Sequence, residues 1–177
     1  MADNSLESVL NLLNKNGVVI TPSALPGEDD LKQIPFGNIL LDIATGGGAP
    51  QGKIIRIIGP YSSGKSQVAL RLFAVNQERC HRCWEEKADC KCKGAFTKFK
   101  LAYVDVENIY DPRWTVKNGI NLSKENNPVL HVKPETGEQT VDVVDAIIRH
   151  RLASVIIVDS LAAMVPSIEL EKSLQDF

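Results

Sequence analysis

Gly59, Pro60, Tyr61, Ser62, Ser63, Gly64, Lys65 and Ser66 follow the pattern G-x-x-x-x-G-K-[ST], which suits a loop that wraps phosphate groups. A triphosphate carries several negative charges, so such a loop must offer many donors and little side-chain bulk. Glycines at 59 and 64 let the backbone approach closely and turn its N–H groups inward. A helix opening near Gly64 adds its positive end, Lys65 is placed to reach the β and γ phosphates, and the Ser66 hydroxyl to enter the shell of Mg²⁺. The plain alternative is a glycine-rich turn with a solvated lysine. The apolar run before the motif and the helical pattern after it favour the nucleotide loop.

Nucleotide hydrolysis also needs carboxylates at the carboxyl ends of buried strands, where ligands of open parallel sheets bind. The run Val155, Ile156, Ile157, Val158 ends in Asp159, which is placed to hold Mg²⁺ through its water shell. Without the upstream loop, the same aspartate would read as a helix cap or turn residue. A second strand pattern ends in Asp105, Val106 and Glu107. Glu107 is the candidate general base, orienting or deprotonating a water for in-line attack, and Asp105, earlier on the strand, reads as structural.

All four cysteines fall within thirteen positions, as Cys80-x2-Cys83 followed by Cys90-x-Cys92. Four soft thiolates at this spacing suit one tetrahedral, structural Zn²⁺ with no open position. An iron–sulfur cluster and free or disulfide-forming thiols are the other readings. His81 reads as a bystander. The segment is basic, with Arg79, Arg82, Lys87, Lys91, Lys93, Lys98 and Lys100 against Glu85, Glu86 and Asp89, and Trp84, Phe96 and Phe99 add aromatic surface. That mixture suits a DNA or protein contact. Against it, a four-thiolate zinc centre carries a net charge of about −2, and small zinc loops use their aromatics as a core.

The elements that must position these groups are legible as alternating patterns. Strands are expected at residues 54–58, 101–106, 129–132 and 155–158. Helices are expected at residues 38–44, from 67 to about 78, and at 137–149. The last has Thr136 and Gln139 as a capping box and Val141, Val144, Ile147 and Ile148 as its buried stripe. Strands alternating with helices imply an α/β fold, a mainly parallel sheet flanked by helices. Ahead of it, residues 5–15 read as a short amphipathic helix and 21–35 as a proline-rich, acidic linker, so the core is expected to begin near Phe36.

With 177 residues, 44% of them hydrophobic, the chain reads as an ordinary folded domain able to bury a core. A net charge of −2 advertises no polyanion partner, yet a local basic stripe would suffice for DNA. The N-terminus lacks a basic and apolar leader and no apolar run approaches a membrane span, so a cytoplasmic protein with no membrane partner is expected, in the host cytoplasm if the gene is viral. The clustered cysteines agree with a reducing compartment.

Taken together, Gly59-Pro60 with Ser62-Ser63-Gly64-Lys65, Asp105-x-Glu107, Asp111-Pro112, Thr136-Gly137-Glu138-Gln139 and Val158-Asp159-Ser160 resemble the RecA-type recombinase family in order and spacing, over about residues 36–176. The resemblance implies an ATP-dependent recombinase of P-loop fold that forms a homo-oligomeric filament on single-stranded DNA and exchanges strands with duplex DNA. It implies that Glu107 is the catalytic glutamate and that Lys65 acts in catalysis. It also makes Asp111 an adenine contact and Trp114 an aromatic that stacks on the base; a buried core tryptophan is the alternative. The cysteine-rich segment, at about residues 80–99, stands where the family has a short connection and so reads as an insertion. The family's DNA-binding loops lie after the strand that carries Asp159. Residues 1–35 are therefore expected to be an arm and residues 36–177 the N-terminal part of the ATPase core, truncated after that strand and weakly active or inactive alone. A helicase-like or repair-accessory ATPase of the same fold is the alternative function.

Overall fold

A computed structural model describes residues 32–93, 96–123 and 128–169. The chain divides after Leu31, and all of the described residues belong to the second unit. The helix expected at residues 5–15 and most of the linker lie outside them. The packed chain starts slightly before the expected Phe36, because strand β1, Gln33–Ile34, pairs antiparallel with β2, Ala49–Pro50, and buries Ile34. Between them lies helix α1, Ile39–Ala44, whose first amides donate to the Asn38 side chain. The return into β2 needs Gly48 at φ +124°, where a Cβ would stand 2.1 Å from the Ile34 carbonyl oxygen.

The site is carried by a parallel three-stranded sheet. Its centre is β3, Leu101–Asp105, flanked by β4, Val129–Val132, and β5, Val155–Asp159. All five residues of β3 are buried, as a central strand covered on both faces requires. Alternation divides the faces. Leu101, Tyr103, Val155 and Ile157 pack on the side of helix α2, Lys65–Asn76, with Leu70 and Phe73. Ala102, Val104, Ile156 and Val158 pack on the other side against helix α4, Gly137–Arg149, through Val143, Val144 and Ile147. The register pairs Asp105 with Asp159, so both strands end level at one edge. Helix α3, Pro112–Lys117, follows β3.

Two expectations are corrected. The strand expected at residues 54–58 is absent: the run lies outside both sheets, with Ile54 fully exposed and Ile58 75% exposed. An apolar run becomes a strand only when a neighbour takes its N–H and C=O groups, and none of the described strands pairs with this one. On α4, Ile147 is buried and Val144 is partly covered, but Val141 and Ile148 are exposed. A three-stranded sheet is too narrow to cover the whole apolar stripe of that helix. The Thr136 hydroxyl does accept from the Gln139 amide at 3.1 Å, while the Gln139 side chain reaches the Glu135 amide instead of closing the box on Thr136. Among the described residues no helix is long and apolar enough to cross a membrane.

Candidate nucleotide site and four-cysteine centre

Helix α2 begins where the glycine-rich loop ends. Gly64, its N-cap, has φ +86°, a left-handed conformation open to glycine at little cost, and no side chain caps the helix. The amides of its first turn therefore remain available to an anion. The Lys65 ammonium folds back over the loop and donates to the Gly59 and Pro60 carbonyls at 3.2 and 2.8 Å. Ser62 holds a positive φ and Tyr61 projects into solvent. Replacing Gly59 by a residue with a Cβ would press on the Ser63 hydroxyl, 2.7 Å away. The loop is thus an exposed cradle with its lysine folded over its mouth.

Ser66 and Asp159, 93 positions apart, meet at this cradle: the Ser66 hydroxyl donates to Asp159 Oδ2 at 2.5 Å. Tyr103, two residues before Asp105 and on the α2 face, donates its hydroxyl to the same oxygen at 2.7 Å. Burial, then the Asp159 carboxylate, hold the Tyr103 phenol well above its ordinary range, so it stays a donor. A hydroxyl and a carboxylate side by side, both hard oxygen donors, fit Mg²⁺ held mainly through water.

Glu107 follows β3 in a turn. Its amide and that of Val106 donate to the Asp159 carbonyl at 3.3 and 2.9 Å, and its side chain accepts from the Ser160 hydroxyl. The backbone thus sets the candidate base beside the candidate metal ligand. Asp105, with no exposed side-chain surface, accepts from the Ile109 and Tyr110 amides at 2.9 and 3.1 Å and from His131 Nε2 at 3.0 Å. Burial alone would push its carboxyl up; these partners outweigh burial and hold it below the ordinary carboxylate range. The structural reading of Asp105 agrees with these contacts.

Asp111 caps α3, accepting from the Arg113 amide at 2.8 Å, and the Arg113 side chain holds its carboxyl below the usual range. Trp114 is 46% exposed on α3, so it is not the buried core residue that the alternative required. No described contact joins Asp111 or Trp114 to the phosphate loop. Two residues at the site escaped the sequence analysis, Tyr103 and His131, and Ser160 entered it only as part of a motif, with no role given. Alternation along β3 from Asp105 would have placed Tyr103 on its face; nothing in the sequence marks the cross-strand approach of His131.

The four cysteines form a second centre. Their sulfurs all lie within 4.8 Å of one another, with Cys83 to Cys90 at 3.7 Å and Cys80 to Cys92 at 4.0 Å. Tetrahedral zinc with bonds of about 2.3 Å sets its sulfurs about 3.8 Å apart, whereas a disulfide needs about 2.05 Å. The thiol set therefore fits a closed metal centre. Burial pushes the Cys80 thiol up, but the Cys83 and Arg82 amides outweigh it and bring it down to about 6. The Cys83 sulfur, then burial, push Cys92 up to about 12.

The loop is anchored to the core. Trp84 packs edge-on against buried Phe99, with ring centres 5.3 Å apart. Lys32 reaches the Cys83 carbonyl and Glu85, and Arg79 reaches Asn76 and the Trp84 carbonyl. His81 belongs to this anchoring, not to the sulfur set: its ring nitrogens contact the Ser154 hydroxyl at 2.5 Å and the Arg151 carbonyl at 3.1 Å.

Comparison with known proteins agrees with this geometry. The family model described as the RecA N-terminal domain matches residues 4–177. The mitochondrial DNA repair protein recA homolog of Dictyostelium discoideum is 33% identical over 175 residues, covering 97% of this chain and 34% of its own length. Protein RecA of Rhodospirillum rubrum is 36% identical over 148 residues, 83% of this chain and 34% of its own. Protein RecA of Pseudomonas fluorescens is 38% identical over 154 residues, 85% of this chain and 38% of its own. The chain thus spans little more than a third of the length of these relatives. With a family model spanning nearly all of it and relatives above 30% identity, this chain belongs to the RecA family, in that family's N-terminal domain.

Proposed function

We propose that this chain carries the ATP-binding half of a DNA-stimulated ATPase that pairs and exchanges homologous strands. The hydrogen bond between Ser66 and Asp159, which closes the phosphate loop onto the acidic strand end with Glu107 tied to the next residue, carries the reading. The free first-turn amides of α2 bind the phosphates, and Lys65 exchanges its loop carbonyls for the β and γ oxygens. Ser66 and Asp159 would hold Mg²⁺, which would supply charge neutralisation at those oxygens. Glu107 orients water for in-line attack and takes its proton. Asp111 and Trp114 receive the adenine, the half-exposed indole by stacking.

The cysteine centre is a structural zinc site, supported by sulfur spacing and by a donor set with no place for a substrate. It staples an inserted loop at about residues 80–99; Trp84 and Phe99 serve as its core, which weighs against a nucleic-acid face made of the same aromatics. Single-stranded and duplex DNA, and the neighbouring subunits of a filament, are the partners expected of the whole protein, engaged mostly through regions outside this chain. The core part takes in β1, Gln33–Ile34, as well as the residues from Phe36 on.

ATP hydrolysis measured with single-stranded and with duplex DNA, beside a Glu107→Gln control, tests the reading. Strong stimulation by single strands, abolished in the control, is expected. Hydrolysis indifferent to DNA would favour another ATPase of this fold, and unwinding without joint-molecule formation would point to a helicase-like or accessory one.

A further inference from the structure

Glu107 sits in a turn, residues 106–110, that no helix or strand holds. Asn108 within it has φ +57°, a region that residues other than glycine seldom adopt unless their surroundings hold them there. The near end of the turn hangs on the Asp159 carbonyl through the Val106 and Glu107 amides. The far end hangs on one buried carboxylate, Asp105, through the Ile109 and Tyr110 amides. The third partner of that carboxylate comes from the next strand: His131 of β4 contacts Asp105 Oδ2, the oxygen that Tyr110 also uses. The Tyr110 ring lies on the His131 ring, centres 4.3 Å apart, and packs against Tyr103 at 5.1 Å.

We propose that Asp105 and His131 are positioning residues for Glu107, fixing the far end of its turn from the neighbouring strand; this rests on the reading of Glu107 as the water-orienting group. A buried carboxylate that loses a donor rotates or draws in water to replace it, and either response moves the two amides that it holds. The charged and titratable groups around Asp105 are His131 from β4, Tyr103 and Tyr110, with the carboxylates of Asp159 and Glu107 beyond. A displacement of about 1 Å at a reacting group can cost about a hundredfold in rate, without touching the phosphate loop that binds nucleotide.

The test compares His131→Phe, which keeps a ring against Tyr110 and lacks the donor, with His131→Gln, whose amide nitrogen can stand where Nε2 stands. Each is assayed in the whole protein with ATP, Mg²⁺ and single-stranded DNA, next to Glu107→Gln. His131→Phe is expected to lower kcat about tenfold or more while KM and the affinity for a fluorescent ATP analogue stay within about twofold, and His131→Gln to restore most of kcat. If His131→Phe does not fold, His131→Asn, whose shorter amide misses Asp105, takes its place. Wild-type kcat in the donor-less variant, beside an inactive Glu107→Gln, overturns the positioning role alone. Wild-type hydrolysis by Glu107→Gln overturns the role of Glu107 and this proposal with it.

Discussion

The Ser66 hydroxyl donates to Asp159 Oδ2 across 2.5 Å, joining the first turn of α2 to the last residue of β5. Tyr103 shares that oxygen, so the carboxylate is oriented from two sides. Contacts that orient a group around a metal set its affinity. Asp159→Asn should raise the Mg²⁺ concentration for half-maximal ATP hydrolysis about 10- to 100-fold. A Mg²⁺ titration checks it, and an unchanged midpoint would remove Asp159 from the metal site.

Among the described residues Lys65 donates only to carbonyls of its own loop, so its loss should not disturb the core. Lys65→Ala should lower kcat about 10²- to 10³-fold with little change in melting temperature. Steady-state hydrolysis beside a thermal melt separates the two effects.

The Trp114 indole is half exposed on α3, while the other tryptophan, Trp84, is packed on Phe99. Trp114→Ala should weaken ATP binding by about 1–3 kcal/mol, the range for base–aromatic stacking, and Trp114→Phe should recover most of it. Emission that changes on nucleotide addition in Trp84→Phe but not in Trp114→Phe would place the base on Trp114.

Removing metal should affect the cysteine loop first. Purified protein is expected to hold one zinc per chain, and a strong chelator to lower its melting temperature. At free zinc a thousand times Kd, the bound ion contributes about 4 kcal/mol. Cys80 is the buried member of the set and lies a short turn, residues 77–79, beyond the end of α2. Cys80→Ser should therefore cost more stability than Cys90→Ser. Elemental analysis with thermal melts decides, and a metal-free protein of unchanged stability would count against the zinc reading.

Asp105 titrates below its ordinary range when folded, so it binds its proton more weakly in the folded than in the unfolded chain. Its contribution is fully present above the unfolded value of about 3.9 and is lost as pH falls through that value toward the folded one. Acid unfolding followed by circular dichroism should therefore steepen below about pH 4 in the wild type, and Asp105→Asn should flatten that region.

The candidate phosphate loop, Glu107, Asp159 and the four cysteines stand out in the sequence because each signal is local: fixed spacing, or a charge ending an apolar run. Helix α4 was legible to the residue for the same reason, since Thr136 and Gly137 mark its start. What depends on neighbours was not legible. The apolar run at residues 54–58 reads as a strand, but strand formation needs a partner that spacing along one segment does not reveal. The exposure of Val141 and Ile148 depended on the width of the sheet beneath them. Parallel register brought His131 to Asp105 and Tyr103 to Asp159, contacts made across strands 26 and 56 positions apart. The sequence by itself thus determined which groups this protein has for chemistry. Only the tertiary structure decided which of them share an oxygen, because hydrogen bonds act over about 3 Å of space, whatever the separation along the chain.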